Sequence, residues 1–388
     1  MGRVSLFSAQ DLPAAPSMQV MIEALHPAHS HDLRFTHAAA ADVSQVPSGQ
    51  RRGVNIFGPG VSPRMEASAL GQSRMREVSS VLLNNAGYES NSLTVYDRDL
   101  RLFTDGILNL DAPRALANFD PEFHLDQDGE LYQADDWLAR ATYIDCIALP
   151  VCGLGFKNYG HFLYDGLPGV FLHSQMLDMN AARIVGQRLQ PWQRDILAAL
   201  GLDKHYMELK GHAVFRKLLT TTLLSMHVAY PTGFIRGMFD RIRFQFGLSS
   251  ETPNRLVYLA RGGDTSRRVL RNREEIETLM ASLGFEVVQA ERLPFGEQVQ
   301  LLASCRVVVG ESGAAMANLG FSQPGTRVLE IQPELFVEGW IRGMCFILSH
   351  PWHVYFAEVD SPQPDGTFSY RIDPDDLAAA VRLVVAGS

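Results

Sequence analysis

Cysteine is scarce in this chain: four residues, Cys146, Cys152, Cys305 and Cys345, in 388. No two form a C-x-x-C pair and none has a histidine at zinc spacing, which excludes a disulfide framework and a structural zinc site. Cys146, Cys305 and Cys345 stand in apolar surroundings and are expected as core packing. Long apolar runs are also missing. Nothing approaches the roughly 20 residues needed to span a bilayer. The opening Met1-Gly-Arg-Val-Ser-Leu-Phe7 has no apolar signal core. A cytoplasmic protein is the expectation, with peripheral contact at the inner membrane left open. The third shortage is positive charge: 34 Lys and Arg against 43 Asp and Glu, a formal net charge of −9. That balance excludes general nucleic-acid binding but leaves room for a local basic pocket. With 46% hydrophobic and 20% charged residues the composition is that of an ordinary globular enzyme, and the length implies two domains.

Residues 1–50 are rich in Ala, Pro, Ser and His with weak periodicity, and read as an irregular N-terminal extension. Residues 51–232 read as an N-terminal α/β domain, 233–372 as a second one, and 373–388 as a C-terminal helix. In the first, Ser92–Tyr96 and Leu100–Phe103 flank Asp97-Arg-Asp99 as a hairpin, and Tyr143–Leu149 is an apolar strand. Phe162–Met179 is expected to be helical. Pro191–Gly201 has proline at its start and glycine at its end, the usual helix punctuation. The second domain alternates strands at Leu256–Ala260, Glu286–Gln289, Val307–Val309 and Val328–Ile331 with helices at Asn272–Leu283 and Phe295–Ser304. Such alternation implies a parallel sheet covered on both faces, so the fold class is α/β, simplest as two domains with a cleft between them.

The most informative stretch is Arg306-Val-Val-Val-Gly-Glu-Ser-Gly-Ala-Ala-Met-Ala-Asn318. A short β-branched strand runs through a glycine-bracketed turn into a helix start, where backbone N–H groups and the helix dipole favour an anion. Upstream lies the densest basic patch, Arg261 to Arg273, which also follows a strand. In open α/β sheets, ligands bind beyond the carboxyl ends of the strands, so both features can face one diphosphate. A solvated basic face would carry the same arginines. Glu330, placed at the end of Val328–Ile331, can accept from ribose hydroxyls or stand in solvent.

In the first half, Gly153-Leu-Gly-Phe-Lys-Asn-Tyr-Gly-His-Phe-Leu-Tyr-Asp165 sets His161 and Asp165 four apart, on one helix face, with Asn158 at its mouth. An imidazole beside a carboxylate is either an acid/base unit or a buried structural pair. Three Asp-x-Asp triplets, at 97–99, 126–128 and 373–375, suit a cation only weakly, because turn and cap chemistry accounts for each. No metal ligand set is assigned. Trp192, Trp340 and Trp352 read as core or cleft wall.

Asn158-Tyr-Gly-His-Phe-Leu-Tyr-Asp-Gly-Leu-Pro168 resembles the asparagine–aromatic–Gly-His motif of glycosyltransferase family 61. Phe285-Glu-Val-Val, Leu293-Pro-Phe-Gly-Glu-Gln298, Val309 to Asn318 and Val328-Leu-Glu330 resemble its C-terminal block in order and spacing. The resemblance implies a GT-B arrangement of two facing Rossmann-like domains with an interdomain cleft. It implies inverting, metal-independent transfer from a nucleotide-sugar to a hydroxyl of a glycan or lipid-linked glycan, with no cofactor. Carried over, Arg261, Arg267 or Arg268, and the turn Ser312, Gly313 and Ala314 would hold the diphosphate. Gln298 and Asn318 would support that pocket, and Glu330 would bind ribose. On the acceptor side would stand Lys157, Asn158 and Tyr159, with Asp165 preferred over His161 as the base. Many members carry histidine where this chain has Ser312, beside Glu311. That departure motivates one alternative, a nucleotide-sugar-binding protein with little or no transferase activity; another is a transferase of a non-sugar group, such as pyruvyl, on a similar two-domain scaffold.

Overall fold

The structure, a computed structural model, describes every residue except 1, 39–40, 45–53, 71, 76, 106–111, 120–122, 134–139, 153–154, 223–232, 247–251, 263–266, 364–365 and 388. Parts of four sequence expectations therefore lie outside the described residues: positions 1, 39–40 and 45–50 of the N-terminal extension, 153–154 of the first-half motif, 263–266 of the basic patch, and 230–232 at the end of the first expected domain. The chain divides into two compact units. One comprises residues 1–41 and 75–228, the other 42–74 and 229–388.

The first unit is built on a nine-stranded mixed sheet. Its principal strands are β1 (Val78–Glu89), β2 (Thr142–Pro150), β3 (Ala182–Gly186), β4 (Tyr206–Glu208) and β5 (His212–Thr221). They run in the order β4-β3-β2-β5-β1, the first four mutually parallel and β5–β1 antiparallel. Beyond β1 the expected hairpin forms from Thr94–Tyr96 and Leu102–Phe103, and Leu33–Ala38 pairs with β1 as well. Strand β1 is buried along nearly its whole length. Its interior serines and asparagines therefore need partners rather than water. Ser80 Oγ lies 2.7 Å from His173 Nε2 and 2.8 Å from His37 Nε2.

The second unit carries an eight-stranded sheet. Strands β6 (Arg255–Leu259), β7 (Glu286–Val288), β8 (Cys305–Glu311), β9 (Arg327–Pro333) and β10 (Trp352–Pro362) pair in parallel in the order β7-β6-β8-β9-β10. The chain passes from β6 outward to β7, then returns to the other side of β6 for β8. The point of reversal between β6 and β8 is where a doubly wound sheet opens a crevice. Helices Arg273–Ser282 and Pro374–Ala386 press Ile276, Met280, Leu377, Val381 and Val384 onto Tyr258, Val307, Val309, Leu329 and Ile331. Each side chain so buried is worth about 1.5–3 kcal/mol against exposure. The C-terminal helix thus belongs to the second unit. Of the cysteines, Cys152, Cys305 and Cys345 are buried, whereas Cys146 is only half-buried. Among the described residues no helix is long and apolar enough to cross a membrane.

Candidate functional site

Two polar clusters occupy the carboxyl ends of parallel strands, one in each unit. In the second unit, Arg261 follows β6 and Ser312–Gly313 follow β8, on either side of the point of reversal. The Arg261 Nη1 group donates to the Ser312 carbonyl at 3.1 Å. A Cβ added at Gly313 would stand 3.4 Å from the same nitrogen. The basic side chain and the glycine turn of the sequence reading are therefore brought together. The helix after the turn is a 3-10 helix, Ala314–Phe321. Ser312 and Gly313 are buried and Ala314 is exposed.

Glu311 faces away from the turn. It is 1% exposed and accepts from the Tyr370 and Tyr258 hydroxyls, the latter at 3.3 Å. The Arg273 guanidinium pairs with it at 3.1 Å and also donates to the Arg261 carbonyl at 2.6 Å. Arg273 was not among the site residues expected from sequence, yet it fixes the backbone that carries Arg261. Arg268 lies over the Phe336 ring, 3.5 Å from its centroid. Burial, then the neighbouring Arg261, pushes its guanidinium down to about 10. Charge repulsion of this kind is relieved by a bound anion. Arg267 is exposed, and what the structure fixes there is its carbonyl, which accepts from Phe368 at 2.9 Å. Gln298 is buried on helix Phe295–Ala303 and donates to the Leu293 carbonyl, while Asn318 is buried in the 3-10 helix.

Glu330 corrects the sequence reading. The strand continues to Pro333, so Glu330 stands inside β9 rather than at its end, and it is 0% exposed. Its Oε1 accepts from Ser312 Oγ at 2.5 Å and its Oε2 from Trp352 Nε1 at 3.0 Å. Burial raises its carboxyl to about 7 against the help of these hydrogen bonds. A carboxylate so enclosed has no oxygen to offer a ribose. The Ser312 hydroxyl, expected at the diphosphate, is likewise committed inward, so the turn presents its backbone.

In the first unit the motif follows β2. Asn158 caps a one-turn helix, Tyr159–His161, its Oδ1 accepting from the N–H groups of Gly160 at 3.0 Å and His161 at 3.3 Å. The helix expected to run unbroken from Phe162 begins as a π-helical turn, Phe162–Gly166, in which the Leu167 N–H reaches back five residues to the Phe162 carbonyl. Helix Leu167–Ser174 follows. Such turns are rare overall and are frequently found at functional sites. His161 Nδ1 lies 2.8 Å from Asp165 Oδ2, and the two side chains are 21% and 1% exposed. Of the pair, only His161 reaches solvent. Gly155, at φ +94°, lies so close that a Cβ there would stand 2.8 Å from His161 Cδ2. Tyr159 and Phe162 both pack edge-on against Trp192.

Lys157 is exposed and lines an open cavity of about 1020 Å³ at the ends of β3 and β4, with Arg188, Arg194 and Lys210 as further cations and Asp195 and Glu208 as anions. The Asp-x-Asp triplets prove to be turn and cap devices. Asp97 accepts from the Asp99 and Arg101 N–H groups, Asp126 from those of Asp128 and Glu130, and Asp373 from those of Asp375 and Asp376. Among the described residues no group of three His, Cys, Asp or Glu side chains is placed to hold a metal ion.

Residues 159–329 match the family model for Glycosyltransferase 61; the match begins one residue after Asn158 and stops one residue before Glu330. No curated protein matches the chain.

Proposed function

Since residues 159–329 belong to glycosyltransferase family 61, we propose that this chain moves a sugar from a nucleotide-sugar to a hydroxyl of a glycan or lipid-linked glycan, with inversion and without a metal. The observation that carries the reading is Arg261 set against the Ser312–Gly313 turn at the point of strand reversal. A leaving diphosphate there would meet guanidinium groups and turn backbone, which stabilise developing negative charge without a cation. A GT-B arrangement of the two units belongs to the same proposal; its support is that each unit holds its polar cluster beyond parallel strands.

The acceptor hydroxyl needs one base. We assign that role to His161 and not, as the sequence suggested, to Asp165. The imidazole is the member of the pair that reaches solvent, and the buried Asp165 carboxylate, 2.8 Å from Nδ1, orients the ring. In the cavity beside Lys157 the cations outnumber the Asp195 and Glu208 carboxylates, a balance that suits an acceptor bearing negative charge.

Calorimetric titration with UDP-, GDP- and CMP-sugars, followed by turnover on hydroxyl acceptors, tests the reading. His161→Ala and Asp165→Asn should abolish transfer while leaving donor affinity within about twofold. Arg261→Ala should weaken donor binding. Activity should persist in EDTA. Failure of every nucleotide-sugar to bind would refute the proposal. Binding with no turnover on any acceptor would support the second reading, a nucleotide-sugar-binding protein, which the inward-turned Ser312 hydroxyl favours.

A further inference from the structure

With Glu330 enclosed, the ribose of the proposed donor lacks a partner, and the rule that failed at β9 finds a different carboxylate beside β6. Strands β6 and β7 are parallel neighbours in the register Val257–Glu286, Tyr258–Val287 and Leu259–Val288. Gly262, just past β6, and Gln289 to Glu291, just past β7, therefore lie side by side at the carboxyl edge. A Cβ built on Gly262 would stand 2.0 Å from Glu291 Oε1 and 3.5 Å from Gln289 Oε1. The missing side chain is what lets the carboxylate approach the backbone so closely. Gln289 Oε1 is shielded from solvent, and no hydrogen-bond donor meets it among the described residues. Glu291 is exposed, on the short 3-10 turn Ala290–Arg292. Gly262 directly follows Arg261, the residue held against Ser312 and Gly313.

We infer that Glu291 and Gln289 are the ribose-reading residues of the nucleotide site. The inference rests on the proposed function, because it takes the diphosphate to lie at Arg261 and Gly313. A ribose presents two donors, the 2′- and 3′-hydroxyls, on adjacent carbons. Two acceptor oxygens converging beside one glycine, one of them shielded and lacking a donor, match that pair. A carboxylate at the end of the second strand of a doubly wound sheet holds ribose hydroxyls in dinucleotide folds for the same geometric reason. Gly262 then serves by its size, since any side chain there would displace the Glu291 carboxylate.

The test is titration of the full chain with UDP, GDP and CMP and with their 2′-deoxy counterparts. The parent should bind its preferred ribonucleotide at least tenfold more tightly than the deoxy form, the scale of a lost hydrogen bond to a charged group. Glu291→Gln and Gln289→Ala should bring that ratio toward one, whereas Arg261→Ala should weaken both forms alike and keep the ratio. A parent with no preference for the ribonucleotide, or variants that keep the parent's ratio, would overturn the ribose assignment and leave the diphosphate reading standing. If no nucleotide binds the parent, both readings fall together.

Discussion

Glu330→Gln is expected to change how the stability of this protein responds to pH, in a way that can be worked out beforehand. The carboxyl is 0% exposed and held at about 7 in the folded chain, against an ordinary 4.5. Between those values the folded protein keeps a proton that the unfolded chain releases. The stability this group contributes is therefore full below about 4.5, declines as pH rises to about 7, and is level above. At roughly 1.4 kcal/mol per unit, the decline totals about 3 kcal/mol, of which about 2 kcal/mol falls between pH 5.5 and 8. Glutamine cannot ionise and removes that component. Its amide oxygen can still accept from Trp352 and its amide N–H donate to the Ser312 hydroxyl, so what changes is the pH dependence rather than the hydrogen bonding. Urea unfolding of both proteins across this range should show the parent losing about 2 kcal/mol relative to Glu330→Gln. Trp352, which donates to Glu330, supplies an independent readout: its emission should titrate near pH 7 in the parent and not in the variant. Unfolding profiles that stay parallel to within about 0.5 kcal/mol, with no titration of Trp352, would refute the account of this carboxyl.

Three further outcomes are expected. Gly155→Ala puts a Cβ 2.8 Å from the His161 ring at a φ of +94°, so transfer should fall at least tenfold while nucleotide affinity, measured calorimetrically, stays unchanged. Burial pushes His173 down to about 3. It therefore resists protonation while folded, and the stability it contributes above pH 6.5 is lost as pH falls, about 2 kcal/mol by pH 5; His173→Phe should remove that part of the acid sensitivity in urea titrations. Lys217 Nζ donates to the Ala24 and His29 carbonyls and to Asn84 Oδ1. Lys217→Met should thus cost about 3 kcal/mol in chemical unfolding by leaving buried acceptors unmet, and proteolysis should cut first near residues 24–29.

Most strands of the second unit were legible because each is an apolar β-branched run bounded by turn residues. β8, with Val307, Val308 and Val309 at 0% exposure, is the plainest case. The end of β9 was not legible. Polar Gln332 looks like a strand terminus, but pairing with β10 continues through Gln332 to Pro333. Whether a glutamate on such a strand faces solvent depends on Ser312 and Trp352, which reach it only in the folded chain. The partnership of Arg261 with Gly313 was readable, since both follow strands and the order of the strands does the rest. The tie from Arg273 through Glu311 to Tyr258 and Tyr370 was hidden, because it joins residues from four separate segments. Glu291 carried the same strand-end signal as Glu330 and only the geometry at Gly262 tells them apart.

The π-helical turn between His161 and helix Leu167–Ser174 has a consequence for chain length. A turn of this kind holds one residue more than the α-helical turn it replaces, so it amounts to an insertion that the fold has absorbed. Removing a single residue between His161 and Asp165 would restore α-helical spacing and swing every later side chain of the helix by about 100° relative to the imidazole. Surface loops elsewhere in the chain can lengthen or shorten as descendants diverge. This segment can exchange many of its letters but not their number.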